Sequence, residues 1–230
     1  MLPSYREIAK TIDHSLLKPT LTLEELERGC QMAAEYDVAS VCIVPFFLAR
    51  AAALLAGSTV LPSTTVGFPH GANTTRCKLA EAEQALAQGA RELDMVVNLT
   101  CVLSGEFDVV REEVSAIVEM THARGQKLKV IFENCYLNDA QKIRLCEICG
   151  ELGVDWVKTS TGYGSGGATL EDVTLMRKHS PDTVQVKAAG GVTDLDALLK
   201  MREAGATRVG ASRTQQMLNE LRRRLVANEA

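Results

Sequence analysis

V-D-W-V-K-T-S (154–160), V-Q-V-K-A-A-G (184–190) and T-R-V-G-A-S (207–212) are short apolar runs rich in β-branched residues. The segments between them, LEDVTLMRKH (170–179) and DLDALLKMREAG (194–205), repeat apolar residues at intervals of three and four. The runs read as strands and the intervening segments as amphipathic helices. A helix between consecutive strands is the crossover that parallel pairing requires. Working outward, the same alternation recurs with TIDHSLL (11–17), ASVCIVP (39–45), STTVGFP (63–69), RELDMVVN (91–98) and KLKVIFEN (127–134). LEELERGCQMAAEY, RCKLAEAEQALAQG, FDVVREEVSAIVEMTHARG and DAQKIRLCEICGELG supply further helical patterns. Gly89, Gly125, Gly153 and Gly205 stand where helices should close before the next strand. Eight strand-helix units predict a (β/α)8 TIM barrel, α/β in class, with residues 1–230 as a single domain. An open doubly wound sheet is the alternative, but no G-x-G-x-x-G follows the early strands.

Composition narrows the function. Lys and Arg total 25 against 29 for Asp and Glu, a formal charge of -4, so no broad basic field exists to attract nucleic acid or an anionic membrane. An anionic small substrate would have to be captured locally, by backbone N–H groups and a few placed lysines. The seven cysteines are an odd number and do not suggest a disulfide framework. Cys146 and Cys149 form a C-x-x-C within a helical pattern, with no second pair to complete a zinc site, and read as buried small residues. With no apolar leader and no apolar span, the chain is expected to be soluble, reduced and cytoplasmic.

The interior strand positions of such a barrel are expected to be filled by branched apolar side chains, with chemistry at the C-terminal strand ends. Against that background Asp94, Lys158 and Lys187 stand out, each interrupting an apolar run. A structural ion-pair cluster is one reading of them. Function is the reading adopted here, because buried ion pairs seldom improve on apolar packing. Two lysines on neighbouring strands have a use. An amine attacks a carbonyl only when unprotonated, and a second ammonium with desolvation lowers its pKa. Asp94 is then placed to carry protons. Lys158 leads into TSTGYGSGG, Lys187 into AAGGVTD and strand eight into Gly210, Ser212 and Thr214, so open backbone donors should converge on a phosphate. Cys42, near the end of strand two, is expected to line the pocket. His14 and His70 are placed at the same end, and Glu133 at the barrel mouth.

Lys158 with its TSTGYG, Lys187 with its AAGG, ELDMVVN (92–98), IDHSLLKP (12–19), SVCIVP (40–45), TVGFPHG (65–71) and RVGAS (208–212) resemble the motifs of the deoxyribose-phosphate aldolase family, in order along nearly the whole chain. The resemblance implies a Schiff-base aldolase in which Lys158 is the nucleophile, Lys187 its activating and proton-relaying partner, and Asp94 the relay carboxylate. It places Gly162, Gly190, Gly191, Gly210 and Ser212 at the phosphate and Asp13 toward the substrate hydroxyls. It implies a phosphorylated sugar and aldehydes as ligands, with no metal and no cofactor. A homodimer is compatible with it. The chain departs from the family in two places. Arg213 stands where a second Ser is common, and no tyrosine follows Tyr163, so a C-terminal phenol used by some members is missing. Two rivals remain: a Schiff-base aldolase for another phosphorylated sugar, and a non-catalytic sugar-phosphate-binding barrel.

Overall fold

The computed structural model describes residues 3–229. Its strands are β1 (Ile12–Leu16), β2 (Ser40–Ile43), β3 (Leu61–Val66), β4 (Glu92–Val96), β5 (Lys127–Ile131), β6 (Trp156–Lys158), β7 (Gln185–Ala189) and β8 (Arg208–Ala211). They pair in parallel in sequence order and close β8 against β1 as a barrel. The helices are α1 (Tyr5–Ala9), α2 (Leu23–Glu35), α3 (Leu48–Leu54), α4 (Thr75–Ala87), α5 (Leu99–Leu103), α6 (Phe107–His122), α7 (Asp139–Glu151), α8 (Leu170–His179), α9 (Leu195–Glu203) and α10 (Thr214–Glu229). None is long and apolar enough to cross a membrane.

Local chemistry sets the helix starts. Thr22 with Glu25 and Asn138 with Gln141 form reciprocal capping boxes at α2 and α7, each satisfying backbone donors that a helix leaves open. Along α2 the buried positions are Leu26, Gly29, Cys30 and Ala33, the three-and-four spacing of a single inward stripe. The four glycines expected to close helices all have positive φ. β3 begins two residues before the expected 63 and ends at Val66, where Gly67 turns the chain at φ 64°.

The interior differs from expectation in one important respect. Because strand side chains alternate, each strand offers one face to the helices and one to the barrel lumen. Ile12, Val41, Ile43, Leu93, Met95, Leu128, Val130, Val157, Val186 and Val209 belong to the buried apolar cluster with the helices. The alternate residues Asp13, Ser40, Glu92, Asp94, Lys129, Lys158, Lys187 and Arg208 are buried and bond to one another. The expected branched apolar filling is therefore absent from this part of the lumen. The apolar core is a cylinder outside the sheet, and the sheet encloses an ionic one.

A second buried ion pair anchors the wall that carries Asp94. Lys78 of α4 donates to the Val96 carbonyl and to Glu113 of α6, both at 2.8 Å, and Glu113 also accepts from the Asn98 N–H at 3.2 Å. Burial pushes the Lys78 amine down and the Glu113 carboxyl up, in each case against the attraction of the partner. Replacing Lys78 alone with Met strands a buried carboxyl and should cost about 3–5 kcal/mol in urea unfolding. The double replacement K78M/E113L should recover much of that loss.

Candidate active site

Asp94 is the hub of the lumen. Its Oδ2 accepts from Lys158 Nζ and from Lys187 Nζ, each at 2.7 Å, while its Oδ1 accepts from Lys129 Nζ at 2.9 Å. Lys187 Nζ also lies 2.5 Å from Asp13 Oδ2. Asp13 Oδ1 accepts from Ser40 Oγ at 2.6 Å and from Arg208 at 2.5 Å. Arg208 reaches on to Glu92 with both terminal nitrogens, at 3.0 and 3.1 Å, and Glu92 accepts from Lys129 at 2.5 Å. The Trp156 ring lies under this layer, with the Arg208 guanidinium 4.9 Å and Lys129 Nζ 5.8 Å from its centroid. Both cations are at distances where the ring face attracts them.

Counted as ions, four cations (Lys129, Lys158, Lys187, Arg208) face three anions (Asp13, Glu92, Asp94). One positive charge is in excess, and burial makes that excess costly. The residues do not share the cost equally. Burial pulls the Lys158 amine down, Asp94 opposes this, and Lys187 adds to the depression, leaving it below the usual lysine range. Burial also pulls on Lys187, but Asp13 and Asp94 outweigh it and hold its ammonium above that range. Lys129 too is held above that range, against burial, by Asp94, Glu92 and Asp13. Burial would raise the Asp94 carboxyl, yet Lys129, Lys158 and Lys187 hold it well below the usual carboxylate range. The arrangement thus contains one amine inclined to lose its proton, among groups that stay charged.

Above this layer opens a cavity of about 240 Å³. Lys158, Lys187, Asp13 and Cys42 line it, as do Gly162, Gly190, Gly191, Gly210 and Ser212. Asp94 lies beneath and is not part of the lining. Gly190, at φ 83°, is one of the glycines whose identity is enforced: a Cβ there would sit 2.9 Å from Gly167 Cα. Glu133 accepts from the Thr161 N–H at 3.0 Å and from the Thr161 hydroxyl, fixing the loop after β6. The Cys42 thiol is pushed up to about 11, first by burial and then by Asp94, so it is a neutral wall of the cavity. Cys146 and Cys149 are buried in α7, and no cluster of three or more metal-ligating side chains exists among the described residues.

The two histidines do not line the cavity as the sequence suggested, and Arg213, whose direction the sequence left open, points away from it. His14 faces the helices, where its Nδ1 lies 2.9 Å from Thr214 Oγ1 at the start of α10. His70 is exposed and does not line the cavity. Arg213 is exposed and lines a separate depression with Asp196, Glu220 and Arg224. Conversely, sequence reading passed over Lys129, Glu92 and Arg208. Their signal was parity: Glu92 is two residues before Asp94, and strand register sets Lys129 beside Asp94 and Arg208 beside Lys187.

Residues 7–217 match the model of the family described as DeoC/LacD family aldolase. The chain belongs to this family. Among curated DeoC/LacD relatives, the deoxyribose-phosphate aldolase of Rhodopirellula baltica is 62% identical over 96% of this chain and 92% of its own. That of Aciduliprofundum boonei is 44% identical over 94% and 97%. Among solved structures, the aldolase QR15 superposes with a TM-score of 0.90 at 38% identity, covering 96% of this chain and 98% of its own. The deoxyribose phosphate aldolase of Aeropyrum pernix, described as a tetramer, gives 0.88 at 29% identity over 96% and 93%.

The buried groups set the acid limit of this family member. Burial favours the neutral His14 imidazole and lowers its pKa from 6.5 to about 4. The unfolded chain therefore takes up that proton first, and the contribution is complete above 6.5 and declines as pH falls toward 4. Urea unfolding at a series of pH values should show a slope of at most about 1.4 kcal/mol per pH unit from this group, and His14→Asn should flatten that limb. Asp13 and Asp94, both depressed, stabilise the fold above the unfolded carboxylate range of about 4, and their contribution is lost only below it.

Proposed function

We propose that this chain is a class I aldolase that reversibly cleaves 2-deoxy-D-ribose 5-phosphate to acetaldehyde and D-glyceraldehyde 3-phosphate, through a Schiff base on Lys158. The substrate follows from the name shared by its curated relatives. The observation that carries the mechanism is the one depressed amine of the lumen cluster: Lys158 lines the cavity while its neighbours Lys187 and Lys129 are held as ammonium ions. A free amine at the cavity floor is what attack on an aldehyde needs.

In this reading Lys158 Nζ attacks C1 of the open-chain sugar, and loss of water from the carbinolamine leaves a protonated imine. As the C3 hydroxyl gives up its proton to Lys187, left as a free amine after protonating the departing carbinolamine hydroxyl, the C2–C3 bond breaks and its electron pair moves toward the imine. D-Glyceraldehyde 3-phosphate leaves, and an enamine of acetaldehyde remains on Lys158. Protonation at C2 and hydrolysis release acetaldehyde. The imine is the electron sink, so the cycle calls for no metal or redox cofactor. Lys187 is the proton donor best suited to the enamine, because it holds an ammonium beside Lys158 through shared contact with Asp94. Asp94, held ionised, orients both lysines rather than acting as a carboxylic acid. Gly190, Gly191, Gly210 and Ser212 offer backbone and hydroxyl donors to the phosphate. The setting we assign is deoxyribonucleotide breakdown in the cytoplasm, consistent with seven cysteines that are all unpaired.

Reduction with borohydride in the presence of acetaldehyde should leave an N-ethyl group on the peptide carrying Lys158, read by mass spectrometry. A label on Lys187 would reverse the two roles, and activity lost to EDTA and restored by zinc would defeat the class. The trapping rate against pH then separates the neighbours. Lys187→Leu removes a charge that lowers the Lys158 pKa and should move the profile alkaline. Asp94→Asn removes one that raises it and should move the profile acid, while turnover falls roughly 10²-fold or more because the Lys187 ammonium loses the carboxylate that positions it for proton transfer.

A further inference from the structure

Three lysines line the cavity, and the chemistry so far accounts for two of them. Lys158 and Lys187 lie at its floor, bound to Asp94. The third, Lys18, follows β1 at the rim. It is exposed, and its side chain has no hydrogen-bond or ion-pair partner among the described residues, although Lys10 of the same region pairs with Asp37. An unpaired lysine on open surface would be unremarkable, but the placement of this one is fixed. The Tyr163 hydroxyl donates to the Leu17 carbonyl at 2.7 Å, tying the backbone next to Lys18 to the loop that carries Gly162. The Tyr163 ring is itself braced edge-on against Phe68, at 5.5 Å between centroids. Gly162 in turn packs on Gly190, since a Cβ built on Gly162 would lie 3.9 Å from Gly190 Cα.

Lys158 and Lys187 are held at the floor by Asp94, so Lys18 is the cation at the rim of this cavity, and Arg213, the other candidate, belongs to a different depression. A phosphate dianion met only by backbone donors leaves charge unbalanced, and a flexible ammonium at the edge can supply that balance without being buried when the site is empty. We propose that Lys18 closes over the phosphate of the bound sugar and sets the preference for phosphorylated over unphosphorylated substrates. This rests on the reading that the substrate is a sugar phosphate.

The experiment compares wild type, Lys18→Met and Lys18→Arg on 2-deoxyribose 5-phosphate and on 2-deoxyribose, with inorganic phosphate binding measured separately by calorimetry. Losing one charge-assisted contact should lower the selectivity ratio for the phosphorylated sugar roughly tenfold to a hundredfold in Lys18→Met. The change should appear in KM rather than kcat, and Lys18→Arg should restore most of it. Inorganic phosphate should bind more weakly to Lys18→Met. An unchanged ratio, or an equal loss on both sugars, overturns the proposal, as does equal phosphate affinity in wild type and Lys18→Met. If wild type cleaves neither sugar, the substrate reading fails, and phosphate affinity alone then decides the role of Lys18.

Discussion

Everything at the centre of this molecule depends on one carboxylate, Asp94, shared by three lysine side chains inside a closed sheet. A charge in such a place is tolerated only if its partners are positioned well enough to offset desolvation. The barrel provides this by register: Asp94 pairs with Lys129 across β4 and β5, and Lys158 pairs with Lys187 across β6 and β7. Because cations outnumber anions in the layer, the cluster approaches neutrality when one lysine gives up its proton. Lys158, which has Asp94 as its only carboxylate contact among the described residues, is the one placed to do so. Reactivity thus follows from the charge balance of the whole layer, with the nearest neighbour a part of it. Lys187 contributes less to the depression of the Lys158 amine than burial does.

The architecture was legible in the sequence because both of its periods are. Strand runs and helical spacing located all eight strands, and α8 was read with its observed bounds. α1, α3 and α5 were not read, because five to seven residues are too few for a period to show, and α10 was not delimited. The lumen was misjudged for a more instructive reason. In KLKV (127–130) two lysines flank a leucine, which resembles a solvated strand edge. Lys127 is indeed exposed and paired with Asp155, whereas Lys129, on the same face but two residues further into the barrel, is fully buried. Depth along the strand is not written in alternation. The same limit explains His14, a polar residue whose parity points to the helices.

The site residues singled out in sequence fall into two layers. Lys158, Lys187, Asp13, Cys42 and the loop glycines border the cavity, and Asp94 sits below them. The layer below is where sequence reading was weakest, since Glu92, Arg208 and Trp156 touch no substrate space and carry no motif beyond their parity. Their contribution is to hold Asp13 and Lys129, and through them the hub. A motif search finds the residues that meet the ligand more readily than those that fix their electrostatic setting.

The order of the lumen charges along the chain has a consequence for how the molecule comes into being. Asp13, Glu92 and Asp94 all lie in β1 to β4, and Lys129, Lys158, Lys187 and Arg208 all lie in β5 to β8. Each half of the barrel is thus, on its inner face, a shell of one sign. A nascent chain that has emerged only through β4 holds three acids with no bases to meet them, so its inner face favours water over closure. Charge neutralisation begins where β5 sets Lys129 against Glu92 and Asp94 and is completed when β8 reaches β1 and Arg208 meets Asp13, residues 195 positions apart. The two halves are complementary rather than interchangeable. A barrel assembled from two copies of either half would confront like with like at its centre.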